Sequence, residues 1–225
     1  MDYTINGLYE AIQKYGFVEK DEFGYCTYTE DGIKFATDIM EVLKSTKAEF
    51  GADKDYMINI EQIPGEKAAS VLMAKDQMFF PNERYELPLY GNQWIPLGVK
   101  TTIEEKIRVS AILDEACSGG SIAHINIEAP FADREEAWKA LNYVVGKGVT
   151  YFAFTSKICT CADNHSFFGT RCPKCGGAVK TKWRRIVGFY VPYDTFSAPR
   201  KAEADLRRDF DPKEWEDVLA GDDFV

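Results

Sequence analysis

An α/β fold is expected for this chain, and three features of the sequence carry that expectation. Residues 122–154 read as strand, helix, strand. Ahead of them stand amphipathic helical stripes, and behind them two closely spaced cysteine pairs. In the first of these, Ile122-Ala123-His124-Ile125-Asn126-Ile127 alternates apolar and polar residues. Asp133 then stands where a helix cap belongs, and Val149-Thr150-Tyr151-Phe152-Ala153-Phe154 is dense in β-formers. Such a unit implies parallel strands joined by a right-handed crossover.

The elements follow in chain order. Leu8, Ala11 and Ile12 share one helical face within Asn6 to Tyr15. A longer amphipathic helix is expected from Thr29 to Phe50, with Ile33, Ala36, Met40, Leu43 and Phe50 near one stripe. Met57 to Glu61 alternates as a short strand, and Pro64 suits the first turn of a helix from Gly65 to Gln77. Residues 80–100 hold Pro81, Pro88, Gly91, Pro96 and Gly98 among aromatics and read as a long ordered loop, a type often functional. Thr101-Thr102 caps a helix through Cys117, and Gly146 and Gly148 punctuate the end of the helix that Asp133 begins. Trp183 to Val191 is a strand-like run interrupted by Gly188.

Length and composition narrow the class. The 225 residues suffice for one large or two small domains, and 45% apolar with 28% charged residues is ordinary for a soluble globular protein. No apolar run is long enough to span a membrane, and the N-terminus lacks a basic region followed by an apolar stretch, so a cytoplasmic protein is expected. The net charge of −9 argues against a dedicated nucleic-acid binder. The acidic segment Glu203 to Asp223 is read as solvated or partner-facing, and the basic stretch Lys180 to Lys201 as an exposed face or its ion-pair partner.

Four of the six cysteines cluster between 159 and 175, which in a cytosolic chain points to a metal site rather than disulfides. Cys172-Pro173-Lys174-Cys175-Gly176-Gly177 is a knuckle signature, with glycines that let the turn close. The first half is less regular, because Cys159 and Cys161 are one residue apart and His165 can replace one ligand. The preferred set is Cys159, Cys161, Cys172 and Cys175 around a structural zinc, with an iron centre of the same geometry as the alternative. Cys26 and Cys117 read as small buried thiols.

From Thr155 to Arg207 the order is strand, cysteine pair, Cys-Pro-x-Cys, then Arg185-Ile186-Val187-Gly188-Phe189. This order resembles the C-terminal end of anaerobic (class III) ribonucleotide reductases. Upstream, Glu61-Gln62-Ile63-Pro64-Gly65-Glu66, Tyr90-Gly91-Asn92-Gln93 with Pro96, and Gly119-Gly120 through His124 and Asn126 are similar to further motifs of that family. The resemblance runs from Asn6 to Phe210 and extends over the terminal residues Ser197, Lys201, Glu203, Arg207 and Arg208.

The resemblance implies that Gly188 carries a stable backbone radical. Glycine suits this role because a Cα flanked by an amide nitrogen and a carbonyl delocalises the spin, and without a Cβ it flattens freely. It also implies an activase with an iron–sulfur cluster and S-adenosylmethionine that installs the radical. A cysteine thiyl would then take the ribose 3′-hydrogen of a ribonucleotide substrate. The implied fold is the C-terminal part of a ten-stranded α/β barrel over 1–155, a zinc ribbon over 156–180, and a radical loop, terminal helix and acidic tail over 181–225. Neither Cys26 nor Cys117 matches the thiyl position. The expectation is therefore a subunit of a split reductase, oligomeric and completed by an N-terminal chain. The alternatives are a spare part for oxygen-damaged reductase and a zinc-ribbon interaction module without catalysis.

Overall fold

A computed structural model describes residues 2–52, 57–62, 65–186 and 189–221. Gly188 and the helix-opening Pro64 lie outside these residues, as do Ile63 and Val187. The chain begins with β1 (Asp2–Thr4), α1 (Leu8–Lys14), the hairpin β2 (Val18–Lys20) and β3 (Cys26–Tyr28), and the long α2 (Glu30–Gly51). Thr29 caps α2 by accepting the Gly32 N–H at 3.0 Å. Next come β4 (Asn59–Glu61), α3 (Glu66–Phe79), the loop 80–102 without helix or strand, and α4 (Ile103–Asp114), capped by the Thr102 hydroxyl. β5 (Ala123–Asn126), α5 (Arg134–Gly146) and β6 (Phe152–Thr155) follow. β5 and β6 pair in parallel, as the strand–helix–strand pattern requires, and Asp133 caps α5 at the Glu136 N–H.

The last third holds β7 (Ile158–Thr160), β8 (Ser166–Phe167), β9 (Thr181–Ile186), β10 (Phe189–Pro192), α6 (Ala198–Leu206) and α7 (Pro212–Gly221). Among the described residues the mixed α/β fold has three two-stranded sheets and one of four strands, ordered β10-β9-β7-β8. The run Trp183 to Val191 is thus two strands rather than one. β9 and β10 are antiparallel, with Phe189 opposite Ile186 and Tyr190 opposite Arg185, so the chain reverses between them. Segments 156–180 and 181–225 share this four-stranded sheet and are joined by main-chain hydrogen bonds.

Two apolar cores flank α4. One gathers Tyr9, Ile12, Met40, Ile60, Val109 and Leu113, and the other gathers Ile103, Ile107, Ile125, Val144, Phe210 and Trp215. The helix is therefore buried on both sides, and its polar residues Glu105, Lys106, Ser110 and Asp114 are buried with it. The glycine pair ahead of β5 lets the chain turn onto β4. Gly120 adopts φ 103°, the Gly119 N–H donates to the Ile60 carbonyl at 2.8 Å, and the Gly120 carbonyl accepts the Gln62 N–H at 3.1 Å.

The acidic segment is not a solvated tail over its described length. α7 packs on α4 and α5, with Trp215 1% exposed and its ring edge-on to Phe131 and Phe154 at 5.8 and 5.4 Å. Trp215, Val218 and Leu219 stand at helical spacing within the acidic composition and supply the apolar face. Ahead of α7, the Phe210 N–H donates to the Asn126 carbonyl at 2.8 Å and the Phe210 carbonyl accepts the Glu128 N–H at 2.9 Å, so the returning chain is stitched to β5. Trp215→Ala should lower stability by about 3–5 kcal/mol in chemical denaturation. An unchanged midpoint would show that α7 is undocked in solution.

Candidate functional site

The two halves of the cysteine cluster are turns. Between β7 and β8 the Cys161 N–H donates to the His165 carbonyl at 3.2 Å and the Asn164 N–H to the Cys161 carbonyl at 3.0 Å, with Asn164 at φ 59°. In the second turn the Gly176 N–H reaches the Cys172 carbonyl and the Cys172 N–H reaches the Gly177 carbonyl, each at 2.9 Å. Each turn thereby aims two ligand atoms at one point. The donors of Cys161, His165, Cys172 and Cys175 all lie within 4.8 Å of one another.

These donors fit a tetrahedral ion. The Cys161 and Cys175 sulfurs are 3.6 Å apart, as are Cys172 Sγ and His165 Nδ1. A zinc ion with sulfur ligands at about 2.3 Å would hold neighbouring ligand atoms about 3.7 Å apart. Burial pushes the Cys172 thiol up, but the Cys175 and Lys174 amides and the Cys175 and His165 side chains outweigh it and bring it down to about 6. Cys172 is thus disposed toward the thiolate that a metal requires.

Of the four cysteines preferred from sequence, three lie in this group and Cys159 does not. Cys159 sits within β7 opposite Phe167 and Lys182, and is buried against Cys161, Phe167 and Cys172. Two residues along a strand separate Cα atoms by about 6.6 Å, which sets Cys159 back from Cys161. His165 stands directly across the turn from Cys161 and takes the fourth place.

A second constellation lies beneath the β9–β10 hairpin. A cavity of about 60 Å³ is lined by Gln62, Gln93, His124 and Asn126, by Arg185 and Ile186 of β9, and by apolar residues such as Leu89, Pro96 and Ile122. The three upstream motifs meet here. Gln62 Oε1 accepts from Gln93 Nε2 and from the Ile122 N–H, both at 3.1 Å, and Gln93 Oε1 accepts the His124 N–H at 2.9 Å. Asn126 Oδ1 accepts from the Thr155 hydroxyl at 2.6 Å, and its Nδ2 donates to the Arg208 carbonyl at 3.2 Å. Gln62 Nε2 and His124 Nδ1 are buried without a partner among the described residues, and both residues line the cavity.

Burial, then the charges of Arg185, Lys106 and Arg207, push His124 down to about 3. The imidazole is therefore neutral at physiological pH and offers hydrogen bonds rather than charge. No cysteine lines this cavity among the described residues. Cys26 belongs to the core beside α1 and α2, and burial followed by the charge of Asp114 pushes Cys117 up to about 12.

Gln62, Gln93, His124 and Asn126 stand in separate motifs of the sequence, and no local pattern joins all four in one site. One local signal was present: His124 and Asn126 are two apart on a strand and so share a face. Their convergence with Gln62 and Gln93 is tertiary.

Two measurements follow from this geometry. Cys159→Ser should leave bound zinc near wild type, whereas His165→Ala or Cys172→Ser should lose most of it, as read by metal analysis after gel filtration. Equal loss in all three would return Cys159 to the ligand set. For His124, whose folded-state pKa is depressed, the unfolded chain binds more protons between pH 6.5 and about 3. Its contribution to stability is present above pH 6.5 and is lost as pH falls through about 3. His124→Asn should therefore show a shallower loss of stability than wild type over that interval in acid-denaturation curves.

The family model described as anaerobic ribonucleoside-triphosphate reductase matches residues 4–210. A solved anaerobic ribonucleotide reductase aligns with a TM-score of 0.86 and 35% identity over 93% of this chain and 34% of its own. The anaerobic ribonucleotide reductase from Thermotoga maritima with glycerol in the active site aligns at 0.79 and 34% identity, over 91% of this chain and 33% of its own. The Thermotoga maritima reductase in complex with dATP and CTP aligns at 0.77 and 34% identity, over 92% and 33%. The chain thus spans 33–34% of the length of these solved relatives. No curated protein matches it significantly. With the family model covering all but the chain's ends and the fold shared with reductases of known structure, this chain belongs to the anaerobic ribonucleoside-triphosphate reductase family.

Proposed function

We propose that this chain is the radical-bearing C-terminal part of an anaerobic ribonucleotide reductase, with the radical on Gly188. The observation that carries the reading is the cavity under the β9–β10 hairpin. Arg185 and Ile186, which precede Gly188 by three and two residues, face Gln62, Gln93, His124 and Asn126 from three separate family motifs. A strand end beside a mostly apolar pocket that holds a few amide and imidazole groups is a suitable place to bring a main-chain Cα against a reacting group.

In this reading an activase carrying an iron–sulfur cluster and S-adenosylmethionine removes one hydrogen atom from the Gly188 Cα. A hydrogen atom then moves from a cysteine S–H to that Cα, restoring glycine and leaving the unpaired electron on sulfur. The ribose 3′-hydrogen passes to the sulfur in turn. The cysteine comes from outside the described residues, since neither Cys26 nor Cys117 lines the cavity. The remaining strands of a ten-stranded barrel come from an N-terminal polypeptide that pairs with the short β1–β4 and β5–β6 sheets, and the active assembly is oligomeric. Gln62 Nε2 and His124 Nδ1 are available to hydrogen-bond a polar ligand such as a ribonucleotide, and Arg185 and Arg207 supply positive charge beside them.

A zinc ion held by Cys161, His165, Cys172 and Cys175 would fill all four positions and leave none for water, so its role is structural. The segments assigned are 1–155 for the barrel part, 156–180 for the metal ribbon and 181–225 for the radical loop and terminal helices.

Anaerobic incubation with activase, S-adenosylmethionine and reductant tests the reading by electron paramagnetic resonance. The expected result is a doublet from one α-hydrogen that is absent in Gly188→Ala, together with deoxynucleotide formation only when an N-terminal reductase polypeptide is added. A doublet that survives in Gly188→Ala would assign the radical elsewhere. Absence of any signal with the activase would favour an interaction module.

A further inference from the structure

The β9–β10 hairpin extends beyond the sheet that supports it. β7 pairs with β9 only from Thr181 to Trp183, while β10 pairs with β9 from Trp183 to Ile186. The last three residues of β9, Arg184 to Ile186, therefore have no β7 rung beside them. These are the residues nearest the cavity.

The Arg207 guanidinium meets this stretch. Arg207 ends α6, where the backbone leaves the helix at ψ 126°, and its side chain is 8% exposed. Its Nε donates to both carboxylate oxygens of Glu203, at 2.9 and 3.1 Å, and Nη2 donates to one of them at 2.8 Å. Glu203 thus fixes the plane of the fork from one turn earlier on α6. The remaining arm, Nη1, donates to the main-chain carbonyl of Arg185 at 3.0 Å. Arg207, Glu203, Arg185 and Ile186 all line the cavity.

The clamp is itself anchored. The Arg208 N–H donates to the Leu97 carbonyl at 2.8 Å, and Phe210 bonds through its main chain to β5. Asp209, between them, accepts Arg184 Nη1 at 3.1 Å and pairs with Lys157. Residues 207–210 therefore form a bar between the β5–β6 sheet, the 80–102 loop and the base of the hairpin. Only arginine can serve at position 207, because lysine has one nitrogen and cannot bind a carboxylate bidentately while reaching a carbonyl in a fixed direction.

We propose that Arg207, oriented by Glu203, is a positioning residue that sets the base of the β9–β10 hairpin over the cavity through the Arg185 carbonyl. The proposal rests on the assignment of the radical to Gly188, three residues further on, and adds a side chain that controls how long the radical survives there.

The test compares wild type, Arg207→Lys and Glu203→Gln in the full chain with its N-terminal polypeptide, after anaerobic activation. A hydrogen bond from a charged donor biases a local opening equilibrium by roughly tenfold or more. In Arg207→Lys the amide hydrogens of β10 should exchange with deuterium about tenfold faster, and the doublet should decay faster by a comparable factor. Zinc content and melting temperature should stay near wild type, which separates positioning from general instability. Should Arg207→Lys fail to fold, Glu203→Gln, which keeps the side-chain volume, carries the same comparison with a smaller effect in the same direction. A doublet of unchanged yield and lifetime in the folded variants, with unchanged exchange in β10, overturns the clamp and leaves the assignment of Gly188 intact. A wild-type chain that gives no doublet overturns that assignment, and the positioning role with it.

Discussion

The burial of α4 between two apolar cores is the constraint from which the cavity follows. A helix in that position has to place Glu105, Lys106 and Asp114 out of water, and each charge is tolerable only with a partner. Glu105 accepts the Tyr28 N–H at 2.8 Å and pairs with Arg108, Lys106 donates to the Ile95 carbonyl at 3.0 Å, and Asp114 accepts from Trp94 Nε1 at 2.7 Å and from the Ser121 hydroxyl. Apart from Arg108 on α4 itself, those partners belong to β3, the 80–102 loop and the turn into β5. The loop with Trp94 also carries Gln93, and the turn with Ser121 leads to His124. Satisfying the buried charges of α4 therefore fixes the two segments that build the cavity wall. Burial outweighs the two hydrogen bonds at Asp114 and pushes its carboxyl up, and it also pushes the Lys106 ammonium down to about 8. The helix thus gives up some intrinsic stability to hold the loops in place.

The metal turns act at a different range. They close one end of a sheet whose buried apolar support is slight, since the cluster there gathers Cys159, Cys161, Phe167 and Cys172. β9 begins at Thr181, opposite Thr160 and next to Cys161, and ends at Ile186 beside the cavity. Five residue steps along a strand cover about 17 Å. A metal at the turns would therefore influence the hairpin through the rigidity of β9 and not by contact. Where binding free energy is folding free energy, a ligand set of this kind stands in for the core that the segment lacks.

Periodicity and capping chemistry made most of the helices and the β5–α5–β6 unit legible in the sequence. Thr29, Thr102 and Asp133 each announce a helix start that the backbone adopts. The short strands were harder, because β1, β2, β3, β7 and β8 have two or three residues each and show no readable alternation. The hairpin reversal after Ile186 was hidden because both arms are dense in β-formers, so a single strand and two antiparallel ones give the same local signal. α7 was obscured by its own acids, which masked the spacing of Trp215, Val218 and Leu219. At the metal turns the preference for four cysteines followed residue type, whereas the donor group follows position in the turn. A cysteine inside a strand is set back, and a histidine across the turn is brought forward.

The two ends of β9 are thus held by unlike means, and the difference suits the chemistry proposed for the segment beyond it. At the metal end, sulfur and imidazole donors converge on one point and fix a turn. At the cavity end, Arg207 and Asp209 hold a main-chain carbonyl and a side chain of β9 by charge-assisted hydrogen bonds, beside a mostly apolar cavity in which His124 is neutral. A reactive backbone centre is better served by such surroundings than by a further thiol of its own domain, which would quench it by giving up its hydrogen. The cluster of Cys161, His165, Cys172 and Cys175 is kept at the far end of the strand, while aliphatic side chains, neutral amides, an uncharged imidazole and two guanidinium groups line the cavity. In the function proposed above, a thiol entering that cavity from an N-terminal polypeptide would meet no other cysteine among the described residues that line it.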